Sequence, residues 1–125
     1  MNDEERAAAG LQTRREVLGD EHVDRAIAGT TEFTADFQDF INRYAWGELW
    51  NRPGLSRPER SMITLAVLAA LGRDEEVALH VRAGIRNGLT PGDIREVLLQ
   101  VAVYAGLPAA NRAFAVAAQT MQNTS

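Results

Sequence analysis

Apolar residues recur along this chain at three- and four-residue spacing, and no stretch alternates apolar with polar long enough to make a half-buried strand. The pattern predicts an all-α fold, a compact bundle of about six to seven helices. A first helix is expected over Glu4 to Leu18, ending at Gly19, and a short second one from a cap at Asp20 to Ala28, before Gly29. Phe33, Phe37, Phe40, Ile41 and Tyr44 share one face of a third, running from Thr31 towards Tyr44. Trp46-Gly47-Glu48-Leu49-Trp50 then leads into Asn51-Arg52-Pro53-Gly54, whose composition demands a loop.

Ser56-Arg57-Pro58-Glu59 is a strong helix start: a serine cap, a glutamate three residues on that can reach back, and proline in the first turn. That helix should end at Gly72, and the next should run from about Asp74 to Arg86, closed by Asn87-Gly88. Thr90-Pro91-Gly92-Asp93 repeats the start, with aspartate replacing the glutamate, and opens a helix to Ala105. Gly106-Leu107-Pro108 should break the chain before a last, alanine-rich helix from Ala109 to about Met121, leaving Gln122 to Ser125 frayed. The segments Met62 to Leu71 and Val97 to Tyr104 are apolar almost all round. Both need cover on two flanks. The small faces of Ala109, Ala110, Ala113, Ala117 and Ala118 would admit another helix closely, so a second copy of the chain is the simplest cover, and self-association is expected.

Composition narrows the class. With 125 residues the chain has room for one core, and 46% hydrophobic with 24% charged residues is the balance of a folded globular protein. A net charge of −4, with 13 basic residues dispersed among 17 acidic ones, gives no footprint for nucleic acid. The charged first twenty residues do not resemble a signal peptide, and the longest apolar run is half a membrane span. A cytoplasmic protein is expected, with neither nucleic acid nor membrane as partner. The absence of cysteine removes disulfides, thiolate nucleophiles and Cys-ligated metals, and no His/Asp/Glu cluster has metal-ligand spacing.

Few side chains are left for chemistry. His22 sits among Asp20, Glu21 and Asp24, as a solvated histidine would. His80 lies three residues after Val77 and four before Gly84, on the apolar face of its helix, where a packed core histidine and a proton donor are both open readings. Glu48 stands between two indoles in sequence, which would desolvate it, or is an exposed carboxylate beside a hydrophobic lid. Arg52, Arg57 and Arg60 gather around one loop and helix start, suiting either a carboxylate ligand or solvent.

Taken together, Tyr44-Ala45-Trp46-Gly47-Glu48-Leu49-Trp50, Arg52-Pro53-Gly54-Leu55, Arg60-Ser61, Leu79-His80-Val81-Arg82-Ala83, Asn87-Gly88-Leu89-Thr90 and Tyr104-Ala105-Gly106-Leu107-Pro108 resemble the 4-carboxymuconolactone decarboxylases. The likeness runs from about Leu18 to Ala118 and implies a single domain spanning 1–125. It also implies a homohexamer or other homo-oligomer, no cofactor and no metal, and cleavage of carbon dioxide from 4-carboxymuconolactone to give 3-oxoadipate enol-lactone in aromatic catabolism. Alternatives are a relative acting on another small unsaturated or β-keto acid, and a non-catalytic helical module. The alkylhydroperoxidase-like members of the same superfamily use Cys-x-x-Cys, a histidine four residues later and an upstream glutamate. Here those positions hold Arg73, Glu76, His80 and Ser61, so only the histidine survives.

The implied substrate carries its own electron sink, because the pair released with carbon dioxide flows through the ring double bond to the lactone carbonyl. The protein has only to orient it, stabilise the developing oxyanion and protonate carbon. The expected roles are proton delivery by His80, orientation by Glu48, capture of the acetate arm by Arg60 or Arg52, and an apolar wall from Trp46 and Tyr104 around the departing carboxylate. Tight pairing to that carboxylate would stabilise a charge lost in the transition state.

Overall fold

The computed structural model describes residues 1–124, and every regular element among them is helical. The chain divides into two compact units, Met1–Leu55 and Ser56–Ser125.

The first unit holds α1 (Asp3–Leu18), α2 (Asp20–Ala28), α3 (Ala35–Phe40) and, continuous with α3, a π-helical segment Ile41–Leu49. Asn2 starts α1 by accepting from the Glu5 N–H at 2.8 Å, with Asp3, Glu4 and Glu5 in the first turn where the dipole favours acids. The cap of α2 is Gly19, at φ 94°, and not Asp20, whose carboxylate instead accepts from Arg15 at 3.1 Å. α1 packs on the π segment through glycine: a Cβ on Gly10 would stand 1.7 Å from the Asn42 carbonyl oxygen, and one on Gly47 would stand 2.5 Å from that of Arg6. This close crossing explains a departure from the expected third helix. Backbone meets backbone there, so Phe33, Phe37, Phe40 and Tyr44 are left exposed, and Trp46 and Trp50 are buried instead.

The second unit is built from α4 (Arg57–Leu71), α5 (Asp74–Arg86), α6 (Pro91–Ala105) and α7 (Leu107–Thr124). Both expected capping boxes form. Ser56 and Glu59 satisfy each other's backbone N–H groups at the start of α4, and Thr90 and Asp93 do so at α6. Gly72 ends α4 in the left-handed region at φ 73°. α7 begins at Leu107, two residues before the expected start, because Pro108 falls in the first turn where a missing N–H is tolerated. It continues through Gln122 and Asn123, which were expected to fray; Ser125 lies outside the described residues.

Leu65 and Ala69 of α4, Val77 and Val81 of α5, Ile94, Leu98 and Val101 of α6, and Ala113 and Ala117 of α7 form the core of this unit. The alanine face of α7 is thus filled largely by the chain's own helices, and Ala110, Ala113 and Ala117 need no second copy to cover them. α4 and α6 behave differently. Ile63, Val67, Leu71, Leu99, Val103 and Tyr104 remain exposed on them, so each helix has one covered and one uncovered apolar flank.

Candidate functional site

His80 lies on α5 with the buried residues Val77, Val81, Ala83 and Gly84 around it in sequence. Its side chain is half-buried, with Nδ1 sealed from solvent. That places an imidazole, the side chain that changes charge nearest neutral pH, at the boundary of the apolar core. At the end of the same helix the Asn87 amide donates to the Ser61 hydroxyl of α4 at 3.0 Å. Ser61, the residue at the peroxidase glutamate position, is therefore a fully buried hydroxyl bound to a neutral amide. His22, expected to be solvated, is half-buried beside buried Val23 on α2.

Arg60 is half-buried on α4, with Nε sealed from solvent. Tyr104, near the end of α6, is 84% exposed and lines an open groove of about 530 Å³ between α4 and α6. Met62, Ile63 and Val67 supply one wall, and Val97 and Val101 contribute to the other. The groove is almost wholly apolar, Gln100 being its main polar contribution, and neither His80 nor Arg60 lines it. The structure therefore separates Tyr104 from the two polar residues expected to share its site.

The other three expected residues lie in the first unit. Trp46 and Trp50 stack with ring centroids 5.1 Å apart, both buried. Glu48 is not held between them. Two residues along a helix is about half a turn, so its side chain emerges on the opposite side, exposed, and pairs with Arg52 at 3.6 Å. Of the two readings open for Glu48, the exposed carboxylate is therefore the one the structure shows. An ion pair this exposed contributes little to stability, and it offsets the charge of Arg52.

One residue that the sequence did not single out is Arg14. It is buried on α1 in line with Gly10, Thr13 and Val17, and its Nη1 donates to Gln38 Oε1 at 3.0 Å and Asn42 Oδ1 at 3.2 Å. Burial pushes its guanidinium below the ordinary arginine range. The available signal was its position, three residues before Val17 and four after Gly10 on the only buried face of α1. Among the described residues no group of three or more His, Cys, Asp or Glu is placed to hold a metal ion.

Residues 35–119 match the model of the carboxymuconolactone decarboxylase family. The chain is 49% identical over 123 residues to a 4-carboxymuconolactone decarboxylase of Acinetobacter baylyi, covering 98% of this chain and 92% of that one. It is 40% identical over 114 residues to a nitrosuccinic acid decarboxylase of Metarhizium robertsii, covering 91% and 80% respectively.

Proposed function

The chain belongs to the carboxymuconolactone decarboxylase family, and from that premise we propose that it removes carbon dioxide from 4-carboxymuconolactone to give 3-oxoadipate enol-lactone. The near full-length likeness to a decarboxylase named for this substrate carries the reading. Breaking the bond between the ring carbon and its carboxylate sends the electron pair through the ring double bond onto the lactone oxygen. Carbon dioxide leaves, and one proton taken up at carbon restores the lactone. His80 is assigned that proton, because an imidazole can both hold and release one and its Nδ1 is sealed from solvent. Arg60, half-buried on α4, is assigned the carboxylate that is retained, with Arg52 as the alternative. Glu48 stays the second candidate for handling the proton. Tyr104, which lines the separate groove between α4 and α6, has no part in that site, and Trp46, stacked on Trp50, supports the π segment.

The likeness to the fungal enzyme favours a second reading, turnover of another small acid. Nitrosuccinic acid shares a chemical logic with the lactone: two carboxyl groups, one lost, and a built-in acceptor for the electron pair. Incubation with each acid, following carbon dioxide release and loss of substrate absorbance, tests the assignment. Turnover of the lactone is expected. Turnover of nitrosuccinate alone would move the chain to the second reading, and binding without turnover would make it a non-catalytic module.

A cytoplasmic homo-oligomer, hexameric as the family resemblance implies, completes the proposal. The uncovered flanks of α4 and α6 support self-association, and no described helix is long and apolar enough to cross a membrane.

A further inference from the structure

Besides the face it turns to the core, α4 carries an apolar row that the chain's own helices leave bare. Ile63, Val67 and Leu71 recur at four-residue spacing and are 52%, 50% and 62% exposed. Beside this row, Ala66 and Ala70 line the groove of about 530 Å³ that α4 shares with α6, and their small side chains let another helix approach closely. The row is a ridge, and the groove next to it is a seat for a ridge of the same kind. A surface that carries both can pair with its own copy about a twofold axis, each α4 filling the groove of the other.

Charge decides the direction. Arg57, Glu59 and Arg60 stand at the start of α4, two bases to one acid. Just past its end come Arg73, Asp74, Glu75 and Glu76; Arg112 pairs with Asp74, which leaves one base to two acids. An antiparallel copy sets these opposite patterns against each other at both ends, whereas a parallel copy sets like against like. Glu59, one turn before Ile63, is exposed, and so is Arg73, which has no ion pair among the described residues. In the antiparallel arrangement Glu59 meets Arg73 of the partner subunit, and the centre of the contact falls near Val67, midway between Ile63 and Leu71. We propose that two copies associate through α4 about a twofold axis near Val67, antiparallel, with each row of Ile63, Val67 and Leu71 seated in the α4–α6 groove of the other. This rests on the self-association reading and adds which face meets which, and in what direction.

The chain has no cysteine, so introduced thiols report proximity without background. Val67→Cys should be joined to itself rapidly by a short bis-maleimide, with wild-type mass and helicity before reaction. Ile63→Cys and Leu71→Cys, unfolded and refolded together, should give mainly the mixed crosslink, read from the joined peptides. Arg82→Cys, at an exposed site on α5, is the comparator and should react only by random collision. Arg73→Glu should weaken association by about tenfold, whereas Arg82→Glu, the same change of charge elsewhere, should alter it little. A monomeric wild type removes the self-association reading and this proposal with it. An oligomeric wild type in which Val67→Cys crosslinks no faster than Arg82→Cys overturns this proposal alone. Self-crosslinks of Ile63→Cys and of Leu71→Cys in place of the mixed product would make the copies parallel and overturn it as well, and equal effects of Arg73→Glu and Arg82→Glu would remove the charge match that sets the direction.

Discussion

At the scale of single residues, the test of the chemistry is His80→Gln. Glutamine keeps polarity and approximate size but cannot carry the proton, and general acid–base groups typically contribute about 10²–10⁴-fold. Turnover of the lactone should fall by that factor while the thermal midpoint stays near wild type. His22→Gln on α2 should leave turnover unchanged. A structural His80 would give the opposite pattern, with stability lost and activity per folded molecule kept. His80 could be singled out from sequence because its helical spacing relative to Val77 and Gly84 is a local property. Glu48 could be noticed, but its environment could not be read: proximity to two tryptophans in sequence suggested desolvation, whereas the helical turn sends its side chain away from the stacked indoles. Arg14 escaped notice because a missing counter-charge shows only after every acid has been placed.

At the scale of elements, the starts of α4 and α6 were legible to the residue, since a capping box is a contract between side chains three apart. In the first box the Ser56 backbone N–H, donating to Glu59 at 2.8 Å, and then the Ser56 hydroxyl hold the Glu59 carboxyl below its ordinary value. A depressed carboxyl stabilises the fold above its unfolded pKa and stops doing so as pH falls through the folded one. Wild type should therefore outlast Glu59→Gln in thermal unfolding at neutral pH, with the difference fading on acidification through the carboxylate range. A pH-independent difference would show that the charge is not responsible. Ser56→Ala should cost about 1 kcal/mol at neutral pH. The π segment was not legible, because α- and π-helical turns present similar apolar spacing and the wider turn is decided by what packs on it. Gly10 and Gly47 are the trace it leaves. Gly10→Ala should cost about 3 kcal/mol or more, since its Cβ would meet a backbone oxygen that cannot swing aside. A near-normal midpoint for that variant would mean the crossing is looser than described.

At the scale of the whole molecule, α4 and α6 state the problem that association would solve. Sequence marked both as apolar nearly all round, and the fold divides each into two flanks. Leu65, Ala69, Leu98 and Val101 enter the core, whereas Ile63, Val67, Leu71, Val103 and Tyr104 face outward. The exposed set lies beside the groove of about 530 Å³ and forms an apolar surface of the kind that marks an association site. In the first unit, Phe33, Phe37, Phe40 and Tyr44 add exposed aromatic area. Light scattering at micromolar concentration should therefore report a mass several times 13.7 kDa. Val67→Glu distinguishes association through α4 from association elsewhere. Val67 is half exposed and absent from the core cluster, so the charge should leave the subunit folded while becoming costly if another copy covers it. The variant should shift to smaller species, with helicity retained and a midpoint that now depends more steeply on protein concentration. A wild type that is monomeric at that concentration would remove the association proposal altogether. An unchanged assembly in Val67→Glu would move the contact away from this flank of α4, leaving the aromatic surface of the first unit as the next face to test.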